Sequence, residues 1–353
     1  MTTSDRTDAL VERLFDATLG TLELYSVYLG SELGLYRALE RHGAMTAPEL
    51  AEHAGIAPRY AVEWLEQQAV AGLLDLEDGD PRRYRLAPDH ARMLAHPDDA
   101  AHVAPFAHML AGIGGALTHV AHAYQTGGGV PYSAYGAAFR HGQGHINRPA
   151  FTHELPTEWL NAMPDIRARL HTQGARIADI GCGQGFSTTA IAKAFPNAAV
   201  DGIDLDPASI ADATHHAAQA GLNGRVRFLH ADATELHGPY ELILILETLH
   251  DLTRPADALA AARTALADHG AVLIADEKVA DTFTAPGDQI ERMMYGWSVT
   301  HCLPTQMAEQ PTAALGTVMR TDTVHQLARE AGYTRVDVLP VENDFFRLYR
   351  LHP

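Results

Sequence analysis

Cysteine is nearly absent from this chain. Of its 353 residues only Cys182 and Cys302 are cysteines, and neither lies in a CxxC or other metal-ligand spacing. This scarcity excludes a disulfide scaffold and a zinc knuckle, and it is typical of proteins from a reducing compartment. We therefore expect a cytoplasmic protein, and the sequence predicts no metal site.

Basic residues and long apolar runs are also scarce. The chain has 26 Lys and Arg against 44 Asp and Glu, a formal charge of −18, with no Lys/Arg-rich run. Such a chain repels phosphates, so we expect no nucleic-acid partner. The longest apolar run, around 242–246, is too short to span a bilayer, and the polar start MTTSDRTDAL does not resemble a signal peptide. We therefore expect no membrane partner.

The N-terminal part, residues 1–95, is predicted to be α-rich. Residues 8–41 read as helical, with apolar positions on more than one side, which predicts a homodimer built through this region. Thr46 and Glu49 form a capping-box pattern for a helix that ends at Gly55. A second helix over 58–71 and two short strands around a Gly-Asp-Pro turn follow. This order resembles the winged-helix family.

The rest of the chain divides into a predicted helical linker and lid region, 96–170, with a glycine break at 127–129, and an α/β domain, 171–353. Buried parallel strands read as continuous apolar runs, as ELILIL and AVLIA do. The short link at 340–344 predicts a closing antiparallel hairpin. The seven candidate strands are RIADI, AVDGID, RVRFLH, ELILIL, AVLIAD, RVDVL and FFRLYRL.

A glycine-rich loop is the strongest motif. In IADIGCGQG a strand ends at Asp179, and three glycines precede a helix. Glycine allows tight turns and close approach of the backbone to a ligand. Asp204, at the end of the next strand, lies at the distance where an acidic residue meets ribose hydroxyls, and Asp232 ends the strand after it. The pattern predicts a nucleotide-type cofactor. A dehydrogenase is disfavoured because the loop reads GxGxG, not GxGxxG.

The ordered motifs DIGCGQG, GIDLD, HADA and ILET resemble the class I S-adenosylmethionine-dependent methyltransferases over about 175–350. The resemblance implies an α/β, Rossmann-like, seven-stranded sheet. It also implies that Asp179 supports the cofactor's amino group, Asp204 binds both ribose hydroxyls and Asp232 binds the adenine amine. The other cofactor-binding positions so implied are Gly181, Gly183, Gly185, Leu205, Ala233 and Glu247.

The segment ILETLHDL follows the fourth strand, at the ligand edge of an open α/β sheet. It resembles the LHDW segment of small-molecule O-methyltransferases, which implies that His250 is the general base and that Asp276 orients it. Two departures put a phenolic acceptor in doubt. Leu252 replaces the tryptophan, and Met319 stands where a glutamate often precedes the Arg-Thr pair.

Residues 283–320 interrupt the α/β pattern. Their segment MMYGWSVTHCLP offers Met294, Trp297 and His301 as candidates for the wall of an apolar substrate pocket with polar groups. The alternative interpretation is that Met293, Met294 and Trp297 are core residues, and the sequence favours both interpretations equally.

Three functions follow from these patterns. The first is methyl transfer from S-adenosylmethionine to a hydroxyl of a small molecule, with His250 as base. The second is iron-assisted C-methylation of an α-keto acid, implied by resemblance to a small group of enzymes, with His250 and His301 as ligands. The third is a DNA-binding regulator, which glutamates on the second winged-helix helix disfavour.

Overall fold

The computed structural model describes residues 3–353. The predicted N-terminal domain begins two residues earlier, outside the described residues. The chain forms two compact units. The first comprises the chain up to Gly112 together with His141–Pro149, and the second comprises Ile113–Arg140 together with Ala150–Pro353. The division into 1–95, 96–170 and 171–353 stays a prediction.

The first unit contains the winged helix. The predicted helix over 8–41 is two helices, because Gly34 adopts the left-handed conformation (φ 68°) and ends the first. The capping box of Thr46 and Glu49 is present, and Gly55 ends that helix as predicted. The hairpin strands pair antiparallel. The elements are α1 (Thr3–Glu32), α2 (Leu35–His42), α3 (Ala47–Ala54), α4 (Pro58–Val70), β1 (Asp75–Glu77), β2 (Arg83–Arg85) and α5 (Pro88–Leu94).

Three helices and two short turns occupy most of the middle of the chain. The glycine break at 127–129 separates the first helix from a 3₁₀ turn at Tyr132–Tyr135, and a π-helical turn covers Leu155–Trp159. None of the helices within residues 3–353 has the length and apolarity needed to cross a bilayer. The helices are α6 (Pro105–Thr126), α7 (Gly136–His153) and α8 (Pro164–Leu170).

The second unit is built on a seven-stranded mixed sheet in the order β5-β4-β3-β6-β7-β9-β8. The first five strands of this sheet along the chain are parallel, and β9 pairs antiparallel with β7 and β8. The predicted strands and closing hairpin are confirmed. The strands are β3 (Arg176–Ile180), β4 (Ala199–Asp204), β5 (Val226–His230), β6 (Tyr240–Leu246), β7 (Leu266–Glu277), β8 (Arg335–Val338) and β9 (Phe346–His352).

Both faces of this sheet are buried, which explains the continuous apolar runs. Along β6, Leu242 and Leu244 belong to one apolar core, whereas Ile243 and Ile245 belong to the other. Helices that connect or follow the strands supply much of both cores. They are α9 (Phe186–Ala194), α10 (Pro207–Gln219), α11 (Pro255–Thr264) and α14 (Thr321–Glu330). Two more helices, α12 (Gln289–Trp297) and α13 (Leu303–Gln306), lie between β7 and α14 along the chain.

The parallel register brings the carboxyl ends of four strands to one edge. Ile180 lies opposite Ile203 in β4 and Ile245 in β6, and Ile245 lies opposite Ile274 in β7. The residues that follow these positions therefore emerge side by side, where open α/β sheets bind ligands.

A substitution at Gly202 can test how tightly this sheet is packed. A Cβ at Gly202 would lie 2.7 Å from the Phe228 ring, so we expect Gly202→Ala to destabilise the protein by about 1–3 kcal/mol. Gly115 in α6 has no atom within 4 Å of the same position, so Gly115→Ala should be neutral or stabilising. Urea unfolding measures both variants, and equal stabilities would contradict this account of the packing.

Candidate active site

The glycine loop follows β3 directly. Gly181, Gly183 and Gly185 all have positive φ, at 68°, 50° and 76°. A Cβ at Gly181 would lie 2.2 Å from Thr248, so this glycine is required by close packing against the segment after β6. A Cβ at Gly183 would meet nothing within 4 Å, so the loop is open to a ligand there.

Asp204, at the end of β4, is fixed against this loop. Its Oδ2 accepts a hydrogen bond from Gly183 N and its Oδ1 accepts one from Asp206 N, each at 2.8 Å. A carboxylate oxygen has two lone pairs, so each oxygen can accept one further donor. Burial raises the pKa of Asp204, although its backbone hydrogen bonds oppose the shift. The side chain can therefore bind two neighbouring hydroxyls.

Asp179 is fully buried at the end of β3. Its Oδ2 accepts hydrogen bonds from Ser187 Oγ at 2.6 Å and Thr188 Oγ1 at 2.5 Å, both in the first turn of α9. Burial raises the pKa of Asp179 to about 6, against the lowering effect of these hydrogen bonds. This carboxyl fixes the start of α9 behind the loop, a contact that the sequence did not reveal.

Asp232 makes more contacts than its motif indicated. Its Oδ1 accepts from the backbone and hydroxyl of Thr234 at 2.8 Å, and its Oδ2 accepts from Arg254 at 2.9 Å. Burial raises the pKa of Asp232, but these contacts outweigh it and the net pKa is lowered. The neighbouring Ala233 is buried, whereas Leu205 is 51% exposed and offers an apolar surface beside Asp204.

His250 and Asp276 meet across the ends of β6 and β7. His250 Nδ1 lies 2.8 Å from Asp276 Oδ1, and both side chains are buried. Asp276 Oδ1 also accepts from the backbone N–H of Glu277 at 3.0 Å, which fixes the carboxylate. With Nδ1–H donating to Asp276, Nε2 is the nitrogen that can exchange a proton with a ligand.

Two further groups lie on the Nε2 side of His250. Asp251 Oδ1 is 3.5 Å from Nε2, and the Sγ atom of Cys302 lies within 4.8 Å of a ligand atom of each side chain. Burial lowers the pKa of His250, but the charges of Asp276 and Asp251 outweigh it and raise the pKa well above its usual value. Burial raises the pKa of the Cys302 thiol to about 12.

One side-chain group in the described part of the chain has the spacing of metal ligands. Ligand atoms of His250, Asp251 and Cys302 all lie within 4.8 Å of one another. His301 is not in this group. Its Nδ1 lies 3.5 Å from Cys302 Sγ, and its buried Nε2 has no hydrogen-bond partner.

Glu247 and Glu277 form a carboxyl pair beside His250. Glu247 directly follows β6, Glu277 is the last residue of β7, and the two side chains are hydrogen-bonded. Burial raises the pKa of Glu247 to about 7, and burial together with the charge of Glu247 raises that of Glu277 well above its usual value. Glu247 also has a positive φ of 51°, a conformation rare for residues other than glycine.

Aromatic residues surround His301. Its ring stacks on Phe139 with centroids 3.9 Å apart and meets Tyr135 edge-on at 4.5 Å and Tyr132 at 5.8 Å. Burial lowers the pKa of His301 to about 3, so the ring is neutral. Of the other pocket candidates, Met294 is buried and Trp297 is half-buried. The segment at 132–139 therefore packs against the candidate pocket. In this part of the chain the sequence had indicated only the glycine break at 127–129.

Comparison with known proteins identifies both domains. Residues 171–332 match the family model of a methyltransferase domain. Residues 21–96 match the model of the Rv2258c-like winged HTH domain. Both confirm the resemblances drawn from the sequence.

Curated relatives match part of the chain. Trans-aconitate 2-methyltransferase of Streptomyces avermitilis is 35% identical over 120 residues, which are 33% of this chain and 44% of that protein. Ubiquinone biosynthesis O-methyltransferase of Burkholderia thailandensis is 32% identical over 101 residues, 28% of this chain and 43% of that protein. The chain thus matches less than half the length of these relatives.

Solved structures match nearly the whole chain in fold. The mitomycin 7-O-methyltransferase MmcR has a TM-score of 0.70 at 19% identity and covers 99% of both chains. Human N-acetylserotonin methyltransferase, solved with SAM, has a TM-score of 0.71 at 16% identity and covers 100% of this chain and 99% of that one. These identities are low, so the similarity concerns the fold.

Proposed function

The chain combines a winged helix-turn-helix domain with a methyltransferase domain, and we propose that it transfers a methyl group from S-adenosylmethionine to a hydroxyl of a small molecule. The observation that carries this proposal is the buried contact between His250 and Asp276 at the carboxyl edge of the sheet. Thr248, two residues before His250, packs on the glycine loop, so base and cofactor loop are adjacent.

The residues at the loop fit S-adenosylmethionine. Asp204 retains a free lone pair on each oxygen for the two ribose hydroxyls, and Gly183 leaves open space above the loop. Leu205 offers an apolar surface for the adenine, next to Ala233 and Asp232. Because both oxygens of Asp232 already accept hydrogen bonds, its contact with the adenine amine would use a remaining lone pair.

The proposed reaction needs little from the protein beyond alignment and a base. The bound cofactor supplies a methyl group on a sulfonium, which is already activated. Asp276 orients the imidazole through Nδ1, and Nε2 of His250 accepts the proton of the acceptor hydroxyl. The rings at 132–139 and His301 form an apolar wall that excludes water from this proton transfer.

The other two functions have less support. For iron-assisted C-methylation, His250 and His301 would both be ligands, but only His250 belongs to the group with metal-ligand spacing. For DNA binding, the exposed Arg59 of α4 is paired with Glu63. This pairing neutralises the positive charge that a phosphate contact would need.

A homodimer and a small-molecule acceptor complete the proposal. Helix α1 exposes a broad apolar face over residues 10–22, which a helix of a monomer does not need. The residues on it include Leu10, Val11, Leu14, Phe15, Leu19 and Leu22. The cytoplasmic location remains a prediction, which we made from the scarcity of cysteine. Both cysteines are free and buried, as in cytoplasmic proteins.

The role of Asp204 gives the first test. Asp204→Ala removes the carboxylate proposed to bind the ribose, and charge-assisted hydrogen bonds are worth about 1.5–3 kcal/mol, so affinity should fall about 10–100-fold. Calorimetry with S-adenosylmethionine measures the effect. Asp268→Ala, an exposed change early in β7 at the opposite edge of the sheet, should bind normally. Equal affinities of the two variants would count against the assignment.

The base gives the second test. His250→Ala should lower turnover about 10²–10⁴-fold and leave cofactor affinity unchanged. Because the pKa of His250 is raised, its neutral form grows as pH rises, so turnover should increase above neutral pH. Asp251→Asn removes one charge that raises this pKa and should shift the pH–rate profile to lower pH.

The exposed Asp257→Asn is the matched control for the shift, and its profile should coincide with that of the wild type. A profile that Asp251→Asn does not move, or near-normal turnover in His250→Ala, would mean that the base lies elsewhere.

The dimer gives the third test. Leu14 and Phe15 are 56% and 62% exposed, so replacing both with Glu should place charges in the proposed interface and yield a monomer by light scattering. Val70→Glu, at an exposed apolar position of α4, should leave the dimer intact. A monomeric wild type would refute the assembly.

A further inference from the structure

The candidate site contains more acidic groups than the proposed reaction uses. Glu247, Asp251, Asp276 and Glu277 all lie at the ends of β6 and β7, around His250. The ion pairs of Asp251 and Asp276 are with His250 alone, at 3.5 and 2.8 Å. Lys278, the next basic residue along the chain, instead donates to the backbone carbonyl of Asn343 at 2.8 Å. One imidazolium therefore faces four carboxyl groups.

Glu247 and Glu277 have no role in the proposed proton transfer. The family resemblance implies a cofactor contact for Glu247, and the experiment below distinguishes that role from acceptor binding. Because the side chains of the two glutamates are hydrogen-bonded to each other, one of them must hold a proton, since two carboxylates cannot donate. Glu277 is only 4% exposed, and its Oε2 has no hydrogen-bond partner. A buried oxygen of this kind carries a desolvation cost that a ligand donor would remove. Glu247 is half-buried, so the pair is open to a ligand on its side.

We propose that Glu247 and Glu277 form a binding site for a cationic nitrogen of the acceptor, so that the acceptor is a hydroxylated amine. The inference rests on the proposed function and adds the substrate class. A protonated amine brings a positive charge and up to three donors, which matches an acid pair with an unpartnered oxygen. Its binding releases the shared proton to solvent and leaves two carboxylates around one ammonium.

Neutral and anionic acceptors do not match this pair. A neutral hydroxyl offers one donor and no charge, and a carboxylate would add a further negative group to the site. The pair therefore selects among hydroxylated compounds by the charge of the group away from the hydroxyl, whereas His250 acts on the hydroxyl itself.

Three catechols of matched ring structure test the proposal. They are dopamine, which is cationic, 4-methylcatechol, which is neutral, and 3,4-dihydroxyphenylacetate, which is anionic. Calorimetry on protein saturated with S-adenosylhomocysteine gives their affinities. We expect dopamine to bind at least about 10-fold more tightly than 4-methylcatechol, and the anion to bind most weakly.

Glu277→Gln assigns this preference to the pair. The amide keeps the shape and the hydrogen bond to Glu247 but removes the charge, so the preference for dopamine should fall about 10-fold, with the affinity for 4-methylcatechol unchanged. Glu247→Gln should lower the preference in the same way, and it replaces Glu277→Gln in the test if that variant folds poorly. Glu342→Gln, at an exposed position between β8 and β9, should retain the preference.

Several results would overturn the proposal. The first is that dopamine fails to bind, or binds no more tightly than 4-methylcatechol. If Glu277→Gln weakens S-adenosylmethionine but not S-adenosylhomocysteine, the pair faces the sulfonium of the cofactor. If it abolishes binding of Mg²⁺ or Zn²⁺ alone, the pair is a metal site. Failure of the wild type to bind S-adenosylhomocysteine would instead refute the proposed function.

Discussion

The hydrogen bond between His250 and Asp276 joins the ends of two neighbouring parallel strands, and the proposed chemistry depends on it. Strands β6 and β7 are in register from Leu242 onward, so Leu246 and Ala275 are paired, and the residues that follow them emerge together. The contact fixes one nitrogen of the imidazole and leaves the other for a ligand. Thr248 connects the same segment to the glycine loop, so the cofactor loop and the base are held by one edge of one sheet.

Burial sets the electrostatics of this edge. Removing carboxyl groups from water favours their neutral forms, which is why the pKa values of Asp179, Asp204 and Glu247 are all raised. His250 is an exception among the buried groups, because two carboxylates favour its charged form more than burial disfavours it. The site therefore holds a carboxyl pair that shares a proton, Glu247 and Glu277, beside a histidine with high proton affinity, an arrangement that structural packing alone does not require.

Much of the fold was predictable, because the periodicity of apolar residues and short sequence motifs both report local structure. The strands were readable from apolar runs such as ELILIL, and Gly55 and the Thr46 capping box marked helix ends. The split at Gly34 was missed, because an isolated glycine does not show in sequence whether it adopts positive φ. Site residues could be predicted from the sequence where they lie at the carboxyl ends of strands, as His250 and Asp276 do. Contacts distant in sequence, such as Cys302 with His250 or Phe139 with His301, carry no local signal. Glu277 directly follows Asp276, and its pairing with Glu247 became visible only from the strand register.

The methylated atom is the most direct test of the account. Protein incubated with S-adenosylmethionine carrying a ¹³C-labelled methyl group and a library of hydroxylated small molecules, with and without amines, should yield a labelled product. We expect a carbon NMR signal of a methyl group bonded to oxygen. A labelled methyl group on carbon, or the absence of any labelled small molecule, would contradict it.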